Sequence, residues 1–230
     1  MVHNRGSILI KEYSCPLCLT TDNDFFHHDT REYYHCTNCS MVFVPPQYYL
    51  TAAEEKAVYD QHENSADDPG YRNFLGRIFK PLSQRLKPQS NGLDFGSGPG
   101  PTLSVMFTEA GHTMQIYDPF YAPDMSVLEL NYDFITATEV VEHLHHPGEE
   151  LDRLWSCLNP GGQLGIMTKR VTNQQAFSNW HYTNDPTHVC FFSIRTFQWL
   201  ATHWSASLDV INNDVVLLTK SGPCLSCRAR

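Results

Sequence analysis

The apolar positions along this chain change period from one stretch to the next. Leu93-Asp94-Phe95 is a short strand-like run that breaks at Gly96, Gly98 and Gly100, after which Thr102, Leu103, Val105, Met106 and Phe107 open a helical pattern. Thr113 to Tyr117 is a second strand with Asp118 at its end. A third runs through Tyr132-Asp133-Phe134-Ile135-Thr136-Ala137-Thr138 and is followed by a helix from about Pro147 to Leu158. Asn159-Pro160-Gly161-Gly162 then reads as a turn, and Gln163 to Thr168 as a further strand. Strand, helix, turn and strand in this rhythm predict a mostly parallel α/β sheet. Ser193 is placed to cap a helix from Ile194 to His203, and the alternating stretches 206–211 and 215–220 close the sheet as an antiparallel hairpin. Upstream, Thr51 to Tyr59 is helical in pattern, 64–70 is a polar loop, and Phe74, Leu75, Ile78, Phe79, Leu82 and Leu86 lie at helical spacing over Tyr71 to Leu86.

Composition narrows the class. With 230 residues, 41% of them hydrophobic, the chain can build one good core and carry a small satellite. The formal net charge of −9 argues against a general polyanion binder, so nucleic acid is an unfavoured partner. No run approaches the ~18 apolar residues of a bilayer span. Asn4-Arg5-Gly6 ahead of only Ile8-Leu9-Ile10 lacks a signal-peptide core, which points to a cytoplasmic protein without membrane partners.

The cysteines refine that picture. Cys15-Pro16-Leu17-Cys18 and Cys36-Thr37-Asn38-Cys39 are two Cys-x-x-Cys knuckles whose spacing fits a four-thiolate Zn(2+) site. Phe25, Phe26, Tyr33 and Tyr34 between them suggest a small β-ribbon, with a redox dithiol pair or free core thiols as the alternatives. The ribbon is acidic, which favours a stabilising or pocket-covering role over nucleic-acid binding. A third pair, Cys224 and Cys227, is not needed for the ribbon; a second metal or a disulfide stays open there. The expected division is a ribbon module at 1–46, linker helices at 47–90, the α/β domain at 91–220 and a tail at 221–230.

The glycine stretch carries the candidate chemistry. Glycines at alternate positions permit positive φ and close approach of a ligand to the backbone, and the helix start offers unpaired N–H donors. Asp118, twenty residues beyond Gly98, is placed to accept hydrogen bonds from ribose hydroxyls. Pro101 stands where a dinucleotide fingerprint would have its third glycine, which points away from NAD. Taken in order, LDFGSGPG, the strand end at Asp118, YDFITATEVVEHL and LNPGGQLGIMT resemble the signature segments of class I S-adenosylmethionine-dependent methyltransferases over 91–169. The resemblance implies a Rossmann-like fold with helices on both faces of the sheet. It implies that Asp94, Gly96, Ser97, Gly98 and Gly100 cradle the amino-acid part and sugar of S-adenosyl-L-methionine, that Asp118 and Pro119 hold the ribose side, and that Glu139 and Val140 line the pocket.

One departure concerns residues 119–132, where the family fits a helix, a strand and an acidic residue near the adenine; this chain has room for little more than a loop and Val127-Leu128-Glu129-Leu130. Phe120, Tyr121 or Asp124 are the candidates to replace that wall. Tyr59, Asp60, His62, Asn64 and Tyr71 are candidates to lie over the cofactor, with plain surface polarity as the alternative.

The aromatic and histidine-rich stretch from Phe177 to His188 supplies the acceptor side, and this segment resembles a branch of the family whose members carry zinc ribbons. His181 and His188 are the candidate general bases, since an imidazole near pKa 6.5 takes a proton at neutral pH. Glu139-x-x-Glu142-His143 lacks the first histidine of a zinc-protease helix, and His143, His145 and His146 read as a loop with one ring facing the pocket rather than as ligands. The function expected is methyl transfer to a small-molecule O, N or C acceptor, with a catalytically weak scaffold or an RNA-modifying enzyme as alternatives. Nothing in the sequence sets the oligomeric state.

Overall fold

Two cysteine knuckles lie near the start of the computed structural model, which describes residues 13–61 and 64–222. The pair Cys224 and Cys227, and His62, lie outside the described residues. Each knuckle closes in the same way: Leu19 N–H donates to the Cys15 carbonyl and Ser40 N–H to the Cys36 carbonyl, both at 2.9 Å, and both residues take positive φ, 61° and 58°. Between the knuckles β1 (Asn23–His28) and β2 (Glu32–Cys36) form a hairpin, and β3 (Val42–Phe43) continues it.

Helices α1 (Ala52–Tyr59) and α2 (Pro69–Ser83) lead into the main sheet. Thr51 and Glu54 form a capping box at the start of α1, and the Asp68 side chain accepts the Gly70 N–H at the start of α2, two residues earlier than the apolar spacing suggests. Then follow β4 (Asn91–Phe95), α3 (Thr102–Glu109), β5 (Thr113–Tyr117), β6 (Tyr132–Thr138), α4 (Pro147–Ser156) and β7 (Leu158–Met167). The short α5 (Gln174–Phe177), β8 (Cys190–Phe191), α6 (Ile194–His203), β9 (Ser207–Val210) and β10 (Val215–Thr219) complete the order.

The large sheet has the order β5-β4-β6-β7-β10-β9, with β5, β4, β6 and β7 parallel and β10 and β9 antiparallel. Its strands are apolar on both faces because helices cover both. Leu75, Ile78 and Leu82 of α2 and Leu103, Met106 and Phe107 of α3 pack with Phe134, Met167, Val215 and Leu217 on one side. On the other, α4 and α6 bury Leu151, Leu154, Phe197 and Leu200 with Leu93, Ile135, Leu164, Ile166, Val216 and Leu218. This is the Rossmann-like class I arrangement expected from the sequence, with the closing hairpin in place. Between Asp118 and Tyr132 there is only a bridge to Ala122 and a 3-10 turn over Met125–Glu129, so β5 is the edge.

Two features depart from the sequence reading. Asn159-Pro160-Gly161-Gly162 lies within β7 instead of preceding it, and the pairing with β6 shifts register between Tyr132 and Phe134 to accommodate it. The ribbon also does not end as a separate sheet. β3 pairs with β8, Val42 opposite Phe191 and Phe43 opposite Cys190, so a strand from the C-terminal half completes a four-stranded sheet, β1-β2-β3-β8. Tyr33, Met41, Val42, Phe43 and Val44 are buried in the same apolar cluster as the α4 and α6 side of the large sheet. No helix among the described residues is long and apolar enough to cross a membrane.

Candidate active site

The carboxyl ends of β4, β5 and β6 meet at one cavity of about 880 Å³, within the ~300–1,000 Å³ usual for ligand sites. Its floor is the turn after β4. Gly96 and Gly98 take φ of 70° and 63°, and a Cβ on Gly100 would come within 2.0 Å of the Asn64 carbonyl oxygen. The Asp118 carboxylate shapes this floor: Oδ2 accepts the Gly98 N–H at 2.9 Å, and Oδ1 accepts those of Phe120 at 2.8 Å and Tyr121 at 3.1 Å. Three of its four lone-pair positions are thereby used, leaving one on Oδ2 for a ligand hydroxyl. Ser97 Oγ and Thr138 Oγ1 are buried without a hydrogen-bond partner among the described residues, and both residues line the cavity. Orphaned hydroxyls beside left-handed glycines suit the polar part of a cofactor.

Asp94 is not at the cavity wall. It sits beneath the turn, where Oδ1 accepts the Thr136 hydroxyl at 2.7 Å and the Ser104 backbone N–H also bonds to it, tying β4, β6 and the start of α3 together. Burial, aided by Asp118, pushes its carboxyl up to about 6. A carboxyl with a raised folded-state pKa stabilises fully below its unfolded pKa and loses that contribution as pH rises through about 6. A shift of roughly two units corresponds to about 3 kcal/mol. Asp94→Asn should therefore flatten the fall in urea midpoint between about pH 4 and pH 7 relative to the parent chain; an unaltered slope would show that Asp94 is not the group responsible.

The roof is the linker. Tyr59, Asn64 and Tyr71 line the cavity, as do Ala52, Glu55 and Phe74. Tyr121 Oη donates to Asp60 at 2.7 Å, and the Tyr59 ring lies 5.8 Å from Phe120, so the stretch after β5 is strapped to α1. Phe120 and Tyr121 form the wall left short by the missing strand, while Asp124 instead caps the 3-10 turn through the Ser126 N–H and does not line the cavity. Pro119 and Val140 contribute to the wall. Glu139 joins them with φ 52°, a conformation uncommon outside glycine. Burial and the neighbouring Glu142 push its carboxyl up to about 8.

His188 and His181 part company. His188 is 7% exposed, lines the cavity and meets the Tyr182 carbonyl through Nδ1 at 2.7 Å. A carbonyl accepts only, so Nδ1 carries the proton and Nε2 the lone pair. Asp185 Oδ2 is 3.8 Å from Nε2, beyond hydrogen bonding. Burial, and then His143, hold the His188 imidazole below its usual pKa, hence neutral at pH 7. His181 is exposed, with Nε2 3.2 Å from Lys169 Nζ, and does not line the cavity.

At the ribbon, Sγ of Cys15 and Cys39, and of Cys18 and Cys36, are 3.5 Å apart, and all four sulfurs lie within 4.8 Å of one another. That is far beyond the ~2.05 Å of a disulfide and close to the sulfur separation implied by Zn–S bonds of ~2.3 Å in a tetrahedron. The ribbon is tied to the segment that lines the cavity through Arg31. Arg31 Nη1 donates to the carbonyls of Pro186 and His188, both at 3.0 Å, and Nη2 to those of Thr183 at 2.8 Å and Asp185 at 3.2 Å. It thus holds the segment that presents Asp185 and His188. Thr138 and Arg31 were missed by sequence reasoning; Thr138 alone had a signal, its place at the tip of the strand that ends the YDFITAT run.

A family model described as a methyltransferase domain matches residues 69–205. No protein of curated function matches the chain. Among solved structures, the Burkholderia thailandensis 1,6-didemethyltoxoflavin-N1-methyltransferase, solved with 1,6-didemethyltoxoflavin and S-adenosylhomocysteine, is similar at 16% identity and a TM-score of 0.48 over 81% of this chain and 98% of that one. The Bacillus subtilis YcgJ protein gives 16% identity and 0.45 over 61% and 71%. An O-methyltransferase family protein from Burkholderia thailandensis gives 10% and 0.44 over 74% and 64%.

Proposed function

Because the chain belongs to the methyltransferase-domain family, we propose that it transfers a methyl group from S-adenosylmethionine to a small-molecule acceptor in the cavity beneath α1. The observation that carries this reading is the arrangement of one cavity with the glycine turn, Ser97 and Thr138 at one side and His188 at the other. Bound there, the cofactor supplies an already activated sulfonium methyl. What remains for the protein is to align the acceptor in line with that methyl and to exclude water. In this reading the turn from Gly96 to Gly100 receives the amino-acid part, the free position on Asp118 Oδ2 takes a ribose hydroxyl, and Phe120 and Tyr121 stand beside the base. The roof formed by Tyr59, Asn64 and Tyr71 shuts out water and favours a small acceptor over a polymer.

Of the two histidines, His188 is the one suited to draw a proton from the acceptor, since its Nε2 lone pair is uncommitted and its ring is neutral at pH 7. The ribbon, with four thiolates, is the proposed site of a structural zinc ion. His188→Ala is expected to leave S-adenosylhomocysteine affinity within about twofold while lowering turnover by roughly a hundredfold or more. Isothermal titration and a methylation assay separate the two; equal loss of both would assign His188 a structural role. No cofactor binding at high micromolar concentration would favour the scaffold alternative, and salt-sensitive RNA binding the RNA-modifying one.

A further inference from the structure

At the cavity wall, apart from any group the transfer reaction uses for the cofactor, lies a second cluster. The 3-10 turn Val141–His143 brings Glu142 and His143 toward His188, and one ligand atom of each lies within 4.8 Å of the other two. Glu142 is 0% exposed. One of its oxygens, Oε1, accepts the Tyr182 hydroxyl; the other, Oε2, is buried with no hydrogen-bond partner among the described residues. A fully buried carboxyl with an orphaned oxygen is costly unless something cationic completes it. His143 and His188 both line the cavity, so the cluster opens toward the acceptor space on one side only.

We infer that Glu142, His143 and His188 bind a divalent first-row transition-metal ion, with its open positions facing the acceptor. Two imidazoles and one carboxylate with vacant coordination positions are the donor set of catalytic zinc and non-haem iron sites, and the set is too nitrogen-rich for magnesium or calcium. The supporting contacts follow the same logic. His188 gives its Nδ1 proton to the Tyr182 carbonyl, which fixes the tautomer and leaves Nε2 for the metal, and the hydroxyl of Tyr182 orients the Glu142 carboxylate. One residue therefore braces two ligands.

This inference rests on the methyltransferase reading for its chemistry and refines the acceptor to an oxygen nucleophile, a hydroxyl with a second oxygen able to chelate. Coordination lowers the pKa of that hydroxyl and its proton passes to water. The metal-bound oxygen then forms its bond to the methyl carbon as the carbon–sulfur bond breaks, and the bonding pair stays on sulfur. The products are a methyl ether and the neutral thioether cofactor. With the ion bound, coordination takes the Nε2 lone pair of His188, so its role as ligand replaces that of general base and the proton is lost to water.

Manganese tests the site without displacing zinc from thiolates, because it prefers harder donors. Titration of the full chain, its ribbon loaded with zinc, with Mn(2+) and detection of the free ion by electron paramagnetic resonance should show one saturable site. Glu142→Gln and His188→Ala should each weaken it by about tenfold or more. His143→Ala, at a partly buried position, serves the same purpose if Glu142→Gln does not fold. S-adenosylhomocysteine titration on the same samples keeps the two readings apart: failure of cofactor binding in the unaltered chain overturns the methyltransferase reading, not the metal site. No saturable Mn(2+) binding up to about 1 mM, or binding that His143→Ala and His188→Ala leave unchanged, overturns the inference.

Discussion

Gly96→Ala is expected to weaken S-adenosylhomocysteine binding by about a hundredfold. Two costs combine at this position. A φ of 70° is open to glycine and costs an L-residue about 1 kcal/mol. An alanine Cβ would also stand 2.4 Å from Val140 Cγ2 and 2.8 Å from Cγ1. Val140 is β-branched and cannot swing clear cheaply, so the backbone of the turn or of the wall has to move. Together these reach roughly 3 kcal/mol, which corresponds to about a hundredfold in affinity. Gly96→Ala with Val140→Ala should recover the steric part and leave the conformational part. Gly100→Ala makes a useful contrast, since its backbone is not left-handed and the obstacle is Asn64, with its carbonyl oxygen at 2.0 Å and its Cβ at 3.1 Å. It should push the roof away and raise the dissociation rate more than it disturbs the floor. If calorimetry finds Gly96→Ala within threefold of the parent, the close packing of the turn does not govern binding.

The second large effect is expected at the ribbon. Cys36→Ser with Cys39→Ser, or treatment with a chelator to remove the proposed zinc ion, should lower the melting temperature by about 10–20 °C, as for a loss of roughly 5 kcal/mol in a chain of this size. The reason lies in where the thiolates sit. Cys15, Cys36 and Cys39 belong to the same buried cluster as the large sheet, so the ribbon cannot melt alone. Gly148 at the start of α4 reinforces this, for a Cβ there would meet the Leu17 carbonyl at 2.5 Å. Turnover should fall further than cofactor affinity, because the ribbon grips the segment bearing His188 and does not touch the glycine turn. A double-serine variant melting within about 2 °C of the parent, by circular dichroism, would mean that the four-cysteine cluster carries little of the fold.

How much of this was legible depended on the distance over which each signal acts. The glycine turn, the strand end at Asp118 and the knuckles are local: the residues that make the geometry are neighbours in sequence. The helix cap at Ser193 and the closing hairpin are of the same kind. Pairing of β3 with β8 joins residues almost 150 positions apart, and a two-residue strand leaves no alternation to detect. The roof was visible only as polar and aromatic residues ahead of a nucleotide fold; that Asn64 presses on Gly100 is a packing fact. Phe177 to His188 offered two histidines of equal standing, and burial alone separates them, with His188 inside and His181 in solvent. Glu142 was read through a protease pattern that it does not fit, which hid the partner it finds in His188.

Arg31 sets a limit on how this protein can be recombined with its relatives. Its two Nη atoms donate to main-chain carbonyls between Thr183 and His188, contacts that depend on the path of that backbone and not on its side chains, while Nε donates to the Tyr33 hydroxyl within the ribbon. A ribbon exchanged from another chain would have to bring an arginine at the same height and meet the same backbone path. The transferable unit is therefore discontinuous: the ribbon together with residues 183–191, inherited or engineered as a pair.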